Sequence, residues 1–125
     1  MIDAKKIFEK ILKQWGHDIF IQRRLSDDFV YNDILERHTT RSVYARSFAL
    51  SNAKDEVPEG VITNSELVYY FKTEVNPKPG DRIYEESYNS LEDTIIYVID
   101  DSYGVRGKRG EINYWIVGAT KEVPS

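Results

Sequence analysis

Glu111-Ile112-Asn113-Tyr114-Trp115-Ile116-Val117-Gly118-Ala119-Thr120-Lys121 reads as a strand that closes a sheet. Ile112, Tyr114 and Ile116 fall on one face and Trp115 and Val117 on the other, the period of two expected of a pleated chain. The preceding stretch, Asp100–Gly110, carries Gly104, Gly107 and Gly110 and reads as a hairpin loop. Upstream of it, Thr94–Ile99 is the most apolar strand and is expected to be central.

The same reading extends back along the chain. Asn89–Asp93 is expected to turn, and Arg82–Tyr88 to form a short strand. Asn76-Pro77-Lys78-Pro79-Gly80-Asp81 is a turn, because its prolines lack donors and Gly80 accepts unusual backbone angles. Val61–Val75 is a long β-prone stretch, strongest at Leu67-Val68-Tyr69-Tyr70-Phe71. Ser51–Gly60 is a loop, broken by Asn52, Asp55, Pro58 and Gly60, and Thr39–Leu50 is a strand. Ser26–His38 is ambiguous and has room for a helical turn at Asp33-Ile34-Leu35. Asp18–Leu25 alternates again and is a strand.

Only the N-terminus has a helical period. Over Asp3–Trp15, Ile7, Ile11 and Trp15 recur every four residues, with Phe8 and Leu12 filling the stripe. Asp3 is the expected N-cap and Gly16 the expected stop. Two readings are open for this helix: packing on its own domain, or docking on another protein.

Residue usage agrees with a sheet. Val, Ile, Thr and the aromatics make up 45 of 125 residues, whereas Ala, Leu and Met make up 12. The expectation is a mainly β fold: a small barrel or sandwich of about six antiparallel strands with an N-terminal α-helix. One domain accounts for residues 1–125, with a helical arm at 1–16 and the β-barrel at 17–125. The hydrophobic share is 41% and the charged share 30%, a lean core that neighbouring chains would help to complete.

Several chemistries lack their residues. With no cysteine there is no disulfide, thiolate nucleophile or cysteine-ligated metal. His17 and His38 stand apart in sequence, and His17 and Asp18, as strand neighbours, point to opposite faces. No catalytic residue, metal site or cofactor is nominated. No apolar run approaches the ~18 residues of a membrane helix. Met1-Ile2-Asp3-Ala4-Lys5-Lys6 lacks the unbroken apolar stretch of a signal peptide, so no membrane partner is expected.

Charge is unevenly distributed. Residues 55–101 hold 12 acids and 3 bases, while the flanks hold 9 acids and 14 bases. The acidic segment is either a solvated face or a surface that repels a polyanion. Gly104–Gly110 presents Arg106, Lys108 and Arg109, either as a solvated tip or as a grip on an acidic partner. A pI of about 5.2 argues against dedicated nucleic-acid binding, and core packing accounts best for Tyr69-Tyr70-Phe71.

Gly80-Asp81-Arg82-Ile83, followed by Ile96-Tyr97-Val98-Ile99, a glycine-bearing loop and a last strand, resembles the end of tailed-phage head–tail connector proteins, the head-completion or stopper proteins of the neck. Phe20-Ile21-Gln22-Arg23-Arg24 is similar to that family's first strand. The resemblance spans residues 18–121 and follows element order more than identity; the helix bearing Trp15 departs from it. It implies a non-enzymatic virion structural protein, assembled in the host cytoplasm as a homo-oligomeric ring between a portal or adaptor protein and a tail protein. Such a ring retains packaged double-stranded DNA and passes it through its channel without sequence-specific binding. The loop Ser51–Ser65, with Asp55, Glu56 and Glu59, would face the channel. Arg106, Lys108 and Arg109, together with Phe8, Leu12 and Trp15 of the helix, would contact subunits or partners. The alternatives are another phage tail protein (tail terminator, tube or baseplate) and a small cellular β-barrel binding module.

Overall fold

A computed structural model describes residues 3–26, 30–58, 60–62, 64–85 and 94–122. The elements are α1 (Ala4–Trp15), β1 (His17–Arg24), β2 (Tyr31–Tyr44), α2 (Ala45–Ala49), β3 (Leu67–Lys72), β4 (Arg82–Glu85), β5 (Ile95–Arg106) and β6 (Ile112–Lys121). Short 3-10 turns occupy Asn52–Glu56 and Thr73–Val75. The six strands close into an antiparallel barrel in the order β1-β2-β3-β6-β5-β4. The expectation of a mainly β, six-stranded fold with an N-terminal helix therefore holds.

Side-chain alternation separates two apolar clusters. Ile19 and Ile21 of β1, Tyr69 and Phe71 of β3, Ile83 of β4, Ile99 of β5, and Val117 and Ala119 of β6 fill the barrel. The opposite faces of β3 and β6 present Val68 and Ile116 to Phe48, Val57 and Ile62, which cover the barrel from outside. β3 and β6 are thus buried on both faces, so their sequences are nearly continuous apolar runs. Each large apolar side chain buried in this way stabilises the fold by roughly 1.5–3 kcal/mol. In a closed barrel every strand has two neighbours, so Thr94–Ile99 has no special central place.

Several boundaries differ from the sequence reading. Ser26–His38 holds no helical turn at Asp33-Ile34-Leu35; β2 runs straight through these residues. The strand expected over Thr39–Leu50 stops at Tyr44, and α2 follows. Of Val61–Val75, only Leu67–Lys72 is strand. Asp100–Arg106, read as loop, continues β5 past an irregularity between Ile99 and Asp101. The turn expected at Asn89–Asp93 and the end of the strand expected over Arg82–Tyr88 lie outside the described residues.

Helix α1 lies across the barrel exterior. Asp3 caps it by accepting from the Lys5 and Lys6 amides at 3.0 and 3.4 Å. The Gly16 amide closes it on the Leu12 carbonyl at 2.8 Å.

Candidate functional site

The surface of α1 is the first feature with functional content. Phe8 and Leu12 turn inward, Leu12 almost fully buried and Phe8 stacked on Tyr114 with ring centroids 4.5 Å apart. This corrects the expectation that Phe8 and Leu12 meet a neighbour: the amphipathic stripe is wide, and its inner half is spent on the chain's own barrel. Trp15 stays on the outer side at 65% exposure, joined by Ile7 and Ile11 at 46% and 41%. Between α1 and the outer faces of β2, β3 and β6 runs a groove of about 480 Å³, walled by Ile7, Ile11, Val43, Tyr70 and Tyr114 with Arg41 at its side. The other flank of the helix forms a shallow cleft among Lys6, Lys10, Lys13 and Lys72.

The segment expected to face a channel is fastened down. Asp55 is exposed on the 3-10 turn, whereas Glu56 accepts a hydrogen bond from the Tyr114 hydroxyl. Burial, reinforced by that carboxylate, pushes the Tyr114 hydroxyl pKa up. Val57 and Ile62 anchor the segment in the outer apolar cluster. Asp100 accepts from the Ser65 and Thr120 hydroxyls at 3.0 and 2.6 Å, and Asp101 accepts from the Ile62 amide at 3.4 Å. Glu59 lies outside the described residues.

The β5–β6 hairpin tip is basic, and its three cations differ. Arg106 donates to the Gly110 carbonyl at 2.7 Å and so braces its own turn. Lys108 and Arg109 are exposed at the apex.

Sequence reasoning passed over a polar cluster at one end of the barrel. Arg23 of β1 donates to both carboxylate oxygens of Glu36, at 3.0 and 3.1 Å, and to Asp81 at 3.1 Å. It also donates to the carbonyls of Asn76 and Val75. His38 stands 3.0 Å from Glu36. Arg23, first through its hydrogen bonds, holds the Glu36 carboxyl below the usual carboxylate range. Asp81, 2% exposed, also accepts from the backbone amides of Arg24 and Lys78 at 2.9 and 3.1 Å. In Gly80-Asp81-Arg82-Ile83, then, the carboxylate ties a turn to β1 and the isoleucine enters the core. The only signal in the sequence was an acid next to a glycine in a proline-rich turn.

His17 and Asp18 diverge, as strand neighbours do. His17 bonds Glu85 at 2.8 Å, while Asp18 accepts from Arg37 and Thr39. Among the described residues, no three histidine or carboxylate side chains gather into a metal-binding group. Among the described residues, no helix is long and apolar enough to cross a membrane.

Fold and surface together define a class: a small closed antiparallel β-barrel with an external amphipathic helix whose outer stripe is exposed. No protein-family model, curated protein or solved structure matches the chain.

Proposed function

We propose that this chain is a non-enzymatic structural subunit that forms a homo-oligomeric ring at the head–tail interface of a tailed phage. In that ring it helps to retain packaged DNA and to join the tail. The observation that carries the reading is the apolar surface left outside a closed barrel: Ile7, Ile11 and Trp15 beside the groove floored by Val43, Tyr70 and Tyr114. An apolar patch rimmed by charge is typical of a protein-contact surface. The lean composition fits a chain that completes its burial against copies of itself.

The acidic segment supplies the second half of the mechanism. Asp55 and Glu56 sit on a turn held against the barrel by Tyr114, so their charge has a fixed place rather than a wandering one. Lining a channel with such carboxylates repels the phosphate backbone and lets a duplex slide. Lys108 and Arg109 would meet an adjacent subunit or the portal side of the junction.

The test is co-sedimentation of the purified chain with portal-containing particles that lack a tail. Recruitment as a symmetric ring supports the reading, and failure to bind at any salt concentration removes it.

The same groove favours a second reading, a cellular binding module. At about 480 Å³, with apolar walls and Arg41 at its side, it has the dimensions of a small-ligand cleft. Saturable binding of an apolar anion at Arg41, without any self-assembly, would favour this alternative.

A further inference from the structure

The flank of α1 away from the apolar groove gathers cations. Lys6, Lys10 and Lys13 of the helix share a shallow cleft with Lys72, the last residue of β3. Lys6 and Lys10 are four residues apart and Lys10 and Lys13 three, so they are neighbours on the helix surface and repel one another. Among the described residues, no ion pair engages any of these four ammonium groups. Two carboxylates also line the cleft. Asp18 accepts from Arg37 and Thr39, so its charge is already met, and Glu9 is left to offset the lysines. An anion seated in the cleft relieves this repulsion.

The spacing selects the anion. Lys6 to Lys13 covers roughly 10 Å of helix axis at ~1.5 Å per residue. A nucleic-acid duplex carries a phosphate every ~3.4 Å along each strand, so this run meets about three of them. An extended acidic peptide places side chains of one face about 7 Å apart, offers about two carboxylates over the same length, and loses chain entropy on binding. No aromatic ring lines the cleft, so an unpaired base has nothing to stack on, and the outer backbone of a duplex fits better than a single strand. We infer that the lysine cleft beside α1 is a sequence-independent binding site for the phosphate backbone of a nucleic-acid duplex. The inference goes beyond the ring reading and does not depend on it, because a single chain carries the whole cleft. The chain as a whole is acidic, with a pI of about 5.2, which keeps the contact local and weak.

The test uses the full chain and a short labelled DNA duplex of arbitrary sequence, with binding read by fluorescence anisotropy. About three phosphate contacts predict that affinity falls roughly 40-fold between about 50 and about 200 mM salt. Lys10→Gln should flatten the salt dependence by about one charge. Lys121→Gln, the same charge change at the far end of β6, should leave it as it is. Lys6→Gln, Lys10→Gln and Lys13→Gln combined should abolish binding; all three positions are exposed, and unchanged circular dichroism verifies that the variant folds. Inorganic phosphate at matched ionic strength should not displace the duplex. Absence of duplex binding at the lowest salt would overturn the inference, as would binding that survives the triple substitution. Displacement by inorganic phosphate, or by polyglutamate or phosphatidylserine vesicles at equal charge concentration, would overturn it too, assigning the cleft to a free ion, an acidic peptide or a membrane surface. None of these outcomes bears on self-assembly, which recruitment by portal particles decides separately.

Discussion

Arg23 spans one end of the barrel and meets the buried carboxylate of Asp81 at 3.1 Å, joining β1 to the turn that launches β4. Asp81 is nearly inaccessible and also satisfies two backbone amides, so removing it leaves those two donors unmet and Arg23 with Glu36 as its remaining carboxylate. Asp81→Ala is expected to cost roughly 1–3 kcal/mol, the range for leaving buried donors unsatisfied. Asp81→Asn should cost less, because the amide oxygen still accepts. Denaturant midpoints of the two variants against wild type check the order.

The two ends of the barrel respond to pH in opposite senses. His17 is held above the ordinary imidazole pKa, first by its bond to Glu85. A raised folded-state pKa contributes stability below the ordinary histidine range, and that stability is lost as pH rises through the raised value. Glu36 is held low by Arg23, so its contribution is present above the ordinary carboxylate range and is lost as pH falls through the lowered value. His17→Gln should therefore remove the fall in melting temperature between mildly acidic and mildly alkaline solution. It should leave the loss in strong acid unchanged. The His17 side chain is 48% exposed, so the effect is small.

Gly118 of β6 lies directly beneath the connection that carries the acidic segment. A Cβ there would stand 2.4 Å from the Ser65 Oγ and 3.2 Å from an Ile62 side-chain carbon. Gly118→Ala is expected to push this connection off the barrel and to destabilise the fold by roughly 1–3 kcal/mol. Faster amide exchange at Ile62 and Ser65, with β1 unaffected, would check where the damage falls.

Tyr114→Phe removes the hydroxyl that holds Glu56 while keeping the ring that stacks on Phe8. The expected cost is roughly 0.5–1.5 kcal/mol, the net value of a single hydrogen bond. Proteolysis should speed up within Asn52–Val57 while α1 stays docked. If the segment lines a channel, this variant should still form rings yet leak DNA from filled heads.

Much of the barrel was legible because its strands obey a period of two: β1 and β6 were read almost to their ends. β2 was obscured because its first half sets exposed Ile34 and Leu35 on opposite faces among polar residues, with Glu36 and His38 drawn into the Arg23 cluster. No single-sequence pattern announces such a partner. β5 was cut short by Asp100, Asp101 and Gly104, which look like loop residues. Two of them tie down a neighbouring segment, and Gly104 sits opposite Trp115, where the indole and Ile112 leave no room for a Cβ. α2 was hidden inside a β-rich run that includes Val43 and Tyr44.

The site was legible in outline only. The helical stripe showed an apolar face wide enough to be shared, but not which half was taken; the Phe8–Tyr114 stack decides that.

The central claim is that identical copies assemble, and the native mass of the full chain tests it most directly. Light scattering is carried out at low and moderate salt, alone and with the portal complex. The account predicts a large symmetric species in the presence of the portal complex, with self-association rising with chain concentration. A particle of 14.6 kDa under every condition would contradict it.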